Sequence, residues 1–166
     1  MTLALRAMQF AREMHKNQVR NYTENPYTDH LAEVAGVVAT VQPDDISIAV
    51  AWLHDCVEDQ GITAQQLHRE FGYSVTTGVM LLSDLEEGTR KERKAASRSR
   101  LAAAPCWVQT IKVADLISNT SSIVKHDPKF AKVYLEEKRL LLDVLTKADK
   151  GLLEIARNQV KETRND

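Results

Sequence analysis

Apolar residues recur at intervals of three and four along most of this chain, the spacing of one helical face. Leu3, Ala7, Phe10, Ala11 and Met14 trace the first such face. The polar stretch from Asn21 to Pro26 breaks it, and Tyr27-Thr28-Asp29 leads into Leu31, Val34, Ala35 and Val38, a second helix. Pro43-Asp44-Asp45 supplies cap and first-turn chemistry for a third, over about Asp45 to Glu58. Gly61 ends that stretch, and Thr63-Ala64-Gln65-Gln66 has the form of a capping box for a short fourth helix closed by Phe71-Gly72. Val75 to Leu85 reads as a fifth. Gly88-Thr89 introduces a charged amphipathic segment to about Ala104, with Pro105 as punctuation. Trp107 to Val124 is the next apolar helix. Asp127-Pro128, a cap with proline at the first helical position, opens a helix to about Lys147. A last helix runs through Val160, with Gly151 before or within it.

No segment alternates like a strand between turn signals, and there is no repeat or low-complexity tract. The pattern predicts an all-α, compact single-domain bundle over residues 1–166, a length that suits one domain with its own core. Charge adds exclusions. Lys plus Arg total 22 against 23 Asp plus Glu, so no global basic field argues for nucleic acid as a partner. No apolar run approaches the roughly 20 residues that span a bilayer. The N-terminus meets charge at Arg6, too soon for a signal peptide. Two cysteines, Cys56 and Cys106, make no disulfide framework or Cys-x-x-Cys pair. A soluble protein of the reducing cytoplasm is expected.

The third helix carries the chemistry. At about 100° per residue, Ile46, Val50, Leu53 and Val57 fall on one arc, a predicted core stripe. His54 lies one turn above Glu58 and Asp55 one turn above Asp59, two polar columns beside that stripe. Charge in an apolar helix needs compensation. A divalent metal held by His54 and Asp55 would leave Glu58 and Asp59 placed to act on a water. One helix cannot close such a site; His30, at the start of the second helix, and Asp115, inside an apolar helix, are the candidate partners. A mixed imidazole and carboxylate set suits Mn, Fe or Zn better than Ca, which prefers oxygen alone. His15, His68 and His126 read as surface or structural. Leu140, Leu141, Val144 and Leu145 read as core ahead of a dimer contact; the oligomeric state is not legible.

Together these residues resemble the HD superfamily of metal-dependent phosphohydrolases, whose His…His-Asp…Asp pattern falls on His30, His54, Asp55 and Asp115. The resemblance is closest to the hydrolase domain of the RelA/SpoT proteins and to free-standing small alarmone hydrolases. Ala11 to Arg20 matches Ala-x-x-x-His-x-x-Gln-x-Arg, and Pro26 to His30 matches Pro-Tyr-x-x-His. Leu53 to Asp59 matches Leu-His-Asp-x-x-Glu-Asp, Phe71-Gly72 follows, and Lys112 to Asn119 matches Lys-x-Ala-Asp-x-x-x-Asn.

The resemblance implies an all-helical HD fold over the whole chain and a Mn2+-dependent hydrolase, other divalent transition metals being possible. It would remove the 3′-pyrophosphate from a purine nucleotide alarmone such as ppGpp. Glu58 and Asp59 would orient or deprotonate the attacking water and assist the leaving 3′ oxygen. Arg20 would stack on the base, Asn119 would lie near the ribose, and Tyr134 would touch ribose or phosphate. Arg90, first in Arg90-Lys91-Glu92-Arg93-Lys94, would reach the other phosphates. Asn21 stands where the family commonly has Lys, and Asn17 and Asn25 where it often has Gly. Guanine and adenine alarmones therefore both stay open, as does NADPH 2′-phosphate removal. No synthetase domain is expected after Asp115. Outside this enzyme class, a non-catalytic nucleotide-binding sensor and a purely structural helical domain are the rivals.

Overall fold

The computed structural model describes residues 1–164, with side chains to Glu162. Nine helices are found among them, with no strand and one isolated antiparallel bridge, Val19 to Pro26. They are α1 (Leu3–Met14), α2 (Tyr27–Val41), α3 (Asp45–Leu53), α4 (Cys56–Gln60), α5 (Ala64–Leu82), α6 (Arg90–Ala103), α7 (Cys106–His126), α8 (Pro128–Val144) and α9 (Lys150–Arg164). Two compact units divide the chain, the first Met1–Leu85 and the second from Glu86 onward. None of these helices is long and apolar enough to cross a membrane.

In the first unit α3 is central. Ala49, Val50, Ala51 and Leu53 are all fully buried, so this helix is apolar nearly all round, as a core helix must be. Its two alanines let α1 and α2 approach closely, and α5 packs on it as well. Asp45 links α3 to α1: its carboxylate accepts the backbone N–H groups of Leu3 (2.7 Å) and Ala4 (2.8 Å), both left over at the α1 N-terminus. The expected caps are present. Asp44 accepts from Ser47 N, and Thr63 and Gln66 form the capping box.

Three expectations need correction here. The third helix does not run to Glu58; it stops at Leu53, and a second short helix begins at Cys56. Ile46 is 38% exposed, so the core stripe starts at Val50. The fifth helix stops at Leu82, short of Leu85. Gly72, at φ 80° and ψ 179°, is non-helical and separates the expected fourth and fifth helices within α5. Gly61, at φ 65°, ends α4 as expected.

In the second unit α7 is the buried element, with α8 and α9 on it and α6 beside α8. Its interior polar groups are paired, as burial demands. Gln109 donates to the Leu101 carbonyl (2.9 Å) and accepts from Lys147 N (2.9 Å). Of the C-terminal leucines and valine, Leu145 is buried and Leu140, Leu141 and Val144 are half-buried.

Lys138 is the least expected interior residue, 1% exposed on α8. Its Nζ donates to Thr120 Oγ1 and Gln159 Oε1, each at 2.7 Å, neither of which is charged. Burial without a counter-charge pushes the ammonium down to about 7 from 10.5. Between those values the unfolded chain holds the extra proton, so stability rises with pH through this window and is lowest below it. Lys138→Met is expected to flatten that rise. Urea unfolding of both proteins at pH 7 and at pH 9 to 10 checks this; equal pH dependence in the two would refute it.

Candidate metal and catalytic site

The interruption between α3 and α4 falls on His54 and Asp55. His54 caps α3, and Asp55 begins α4 at φ −99° and ψ −2°. The bend turns both side chains toward the start of α2. His54 is 4% exposed, and its Nδ1 donates to the Ala51 carbonyl at 2.7 Å. That bond puts a proton on Nδ1, and Nε2 faces Asp55 Oδ2, 3.0 Å away. His30 is fully buried, and its Nε2 lies 3.6 Å from the same oxygen. The two imidazole rings meet edge to face at 5.4 Å.

Two nitrogen lone pairs and a carboxylate oxygen in that arrangement repel unless a proton or a cation lies among them. The donors, two neutral imidazoles and a carboxylate, are those a borderline divalent transition metal prefers. The residues present therefore fit such an ion. Tyr27 completes the first unit's cluster, donating its hydroxyl to Asp55 Oδ2 at 2.6 Å. Tyr27 packs against His30 on one side and stacks on His15 on the other.

Glu58 and Asp59 follow in α4, both exposed. Glu58 accepts a short hydrogen bond from the backbone N–H of Asp84. Asp59 Oδ2 accepts from Gln18 Nε2 at 2.8 Å. Each carboxylate is thus held by one neutral donor. Cys56 lies between this pair and Asp55; burial, then the charges of Asp55 and Asp59, push its thiol up to about 12.

Arg20 sits in a short hairpin after α1. Tyr27 N donates to Gln18 O and Arg20 N to Asn25 O, both at 2.9 Å, around the Val19 to Pro26 bridge. Glu24 takes φ 58° to close the turn. The hairpin leaves Asn21 exposed beside Arg20.

The second unit holds the remaining expected residues. Asp115, 6% exposed, receives Lys112 Nζ on Oδ2 (2.9 Å) and Asn119 Nδ2 on Oδ1 (2.7 Å). The i−3 and i+4 spacing on α7 accounts for both contacts. Arg90 makes a bidentate pair with Glu137 (2.7 and 2.8 Å) and lies 5.0 Å over the Phe130 ring. Tyr134 turns inward: its hydroxyl donates to the Leu116 carbonyl and meets Thr120 Oγ1, both at 3.3 Å, and burial pushes its pKa up. The structure brings His30, His54 and Asp55 together in the first unit, and Asp115 with Asn119 in the second, where the Asp115 charge also reaches Tyr134.

Sequence reasoning gave no role to Tyr27, Gln18, His15 or Gln60. The first three lie inside the quoted motifs, which was the available signal; Gln60 had none.

The family model described as HD domain matches residues 7–138. Among curated proteins, the guanosine-3′,5′-bis(diphosphate) 3′-pyrophosphohydrolase of Haemophilus influenzae is 34% identical over 119 residues, 68% of this chain and 17% of that one. Its Vibrio cholerae namesake is 36% identical over 106 residues, 62% of this chain and 15% of that one. The GTP pyrophosphokinase rsh of Brucella melitensis is 29% identical over 132 residues, 75% of this chain and 18% of that one. This chain thus spans about 17% of the length of the curated relatives it matches. A solved metazoan ortholog of SpoT, which hydrolyzes ppGpp, superposes with TM-score 0.89 over 98% of this chain and 96% of that one, at 22% identity. A Listeria monocytogenes protein does so with TM-score 0.73 over 89% of this chain and 100% of that one, at 19% identity. These two likenesses establish the fold. With the His-Asp pair, its imidazole neighbour and the all-helical architecture inside the matched span, the chain belongs to the HD domain family.

Proposed function

We propose that this chain is a divalent-metal-dependent hydrolase that removes pyrophosphate from the ribose 3′ position of a purine nucleotide, with ppGpp the first substrate to test. The observation that carries this reading is the convergence of His54 Nε2 (3.0 Å) and His30 Nε2 (3.6 Å) on Asp55 Oδ2, with two carboxylates following in α4. Relatives of 34% and 36% identity named for this reaction support it.

His30, His54, Asp55 and Asp115 hold the metal in this reading. Mn is the ion we favour. When bound, the metal polarises a phosphoryl oxygen and lowers the pKa of water. Glu58 and Asp59 do the proton work. One takes a proton from the attacking water as its oxygen bonds to the phosphorus next to the 3′ oxygen. The other returns a proton to that 3′ oxygen as the bond between it and phosphorus breaks, giving pyrophosphate and, from ppGpp, the nucleoside 5′-diphosphate. Arg20 stacks on the base, Asn119 orients toward the ribose through the same amide that holds Asp115, and Arg90 meets a phosphate. The two units act as one HD domain. A free Cys106 on the surface favours the reducing cytoplasm. Asn21 beside Arg20 leaves a neutral residue next to the base and keeps ppApp and pppApp in contention.

Purified protein with Mn is expected to release pyrophosphate from at least one of ppGpp, pppGpp, ppApp and pppApp. Orthophosphate release from NADPH alone would replace this reading with a 2′-phosphatase. His54→Ala and Asp55→Ala are expected to lose Mn binding and turnover together, whereas Glu58→Ala keeps the metal and loses about 100-fold or more in rate. Turnover by metal-free His54→Ala protein would sink the metal-dependent scheme.

Tyr27→Phe removes the hydroxyl on Asp55 and keeps the ring between His15 and His30. Mn affinity, read by calorimetry, is expected to fall about 10- to 100-fold with the fold intact. An unchanged affinity would show that the phenol does not orient this carboxylate.

A further inference from the structure

A chain of hydrogen bonds with a single direction runs from Cys56 to the Asp59 carboxylate. Asp59 Oδ2 can only accept, so the group of Gln18 facing it at 2.8 Å is the amide nitrogen. The Gln18 oxygen then points the other way, where it receives His15 Nδ1 at 2.6 Å and Gln60 Nε2 at 2.6 Å. His15 Nδ1 therefore carries the proton and its Nε2 is the acceptor. The Cys56 thiol, 3.6 Å from that Nε2, supplies the matching S–H. Every member has its donor or acceptor role fixed by the next.

The chain is also rigid. His15 is 1% exposed at the C-terminal cap of α1 and stacks on Tyr27 at 5.3 Å with rings 18° apart. Gln60 and Asp59 sit on α4 with Cys56, so both ends of the network are anchored on one helix.

We infer that Gln18 and His15 are positioning residues for the proposed hydrolysis: His15 and Gln60 lock the Gln18 amide so that its N–H holds the Asp59 carboxylate in one rotamer. An exposed aspartate without such a donor samples several rotamers, and misplacing a proton-transfer group by about 1 Å costs on the order of 100-fold. The inference rests on the hydrolase reading above and assigns a function to two residues of the Ala11 to Arg20 segment.

The experiment starts with wild-type protein, Mn and ppGpp, pppGpp, ppApp and pppApp. No pyrophosphate release from any of them overturns the hydrolase reading itself. On the substrate that wild type does cleave, Gln18→Leu is expected to lower kcat about 10- to 100-fold with KM and Mn affinity near wild type. In an Asp59→Asn background the same substitution is expected to change the rate hardly at all, because it acts through that carboxylate. His15→Asn, whose amide N–H stands near the Nδ1 position, is expected to retain more activity than His15→Leu. Gln18→Glu serves if the leucine variant does not fold. It keeps the side-chain shape and the acceptor for His15 and Gln60 but presents an oxygen to Asp59, and the same loss of kcat is expected. A kcat within about threefold of wild type in both Gln18 variants would overturn the positioning role. So would a loss that multiplies fully with Asp59→Asn, or one confined to KM.

Discussion

A carboxylate oxygen placed within about hydrogen-bonding reach of two imidazole nitrogens and a phenol is an arrangement that a continuous helix would not build. In the first unit it arises because α3 stops at Leu53 and the chain re-enters a helix only at Cys56. The Ala51 carbonyl, near the end of α3, takes the His54 Nδ1 proton and so determines which imidazole nitrogen faces Asp55. The loss of helical regularity and the choice of tautomer are one event. Tyr27 and His30, from the first turn of α2, then meet Asp55 Oδ2 from the other side. The alanine-rich core of α3 matters for the same reason, since it lets α2 come near enough for those side chains to reach.

The helix content and most boundaries were legible because local signals act over a few residues. The caps at Asp44, Thr63, Thr89 and Asp127 all accept the backbone N–H groups that their type and spacing predict. The bend at His54 and Asp55 was not legible: both residues keep dihedral angles near the helical region, and nothing in Leu53 to Asp59 is a helix breaker. What marks it in the structure is the His54 bond to the Ala51 carbonyl and the contacts of Asp55 with Tyr27 and His30 on α2. Ile46 failed as a core residue for a related reason. A wheel assigns faces to a helix, and where burial begins along it depends on what packs against the first turn.

The candidate site divided along a similar line. Chemically unusual residues, a histidine and two acids in an apolar run, announced themselves by composition. The neutral residues that hold them did not. Gln18, Gln60 and Tyr27 are ordinary residues until a fold places an amide or a phenol against a carboxylate. Lys138 makes the same point in the second unit: nothing in its sequence neighbourhood marks it, yet it lies in the interior with neutral acceptors.

Arg90 and Tyr134, both proposed from resemblance to touch substrate, part company on energetic grounds. Arg90 is engaged by Glu137, but that pair is largely solvent-exposed, 46% on the arginine side, and such a pair contributes about 0 to 1 kcal/mol. A phosphate carries more charge than a carboxylate and offers the same bidentate geometry, so it can take the guanidinium from Glu137 at small cost. Phe130 keeps the guanidinium plane in place during such an exchange. Tyr134 is in the opposite position. Its hydroxyl is buried against the Leu116 carbonyl and Thr120 Oγ1, and turning it outward would give up both contacts before any new one forms. The guanidinium is therefore held at the surface by an exchangeable pair, and the phenol is held in the interior between α7 and α8.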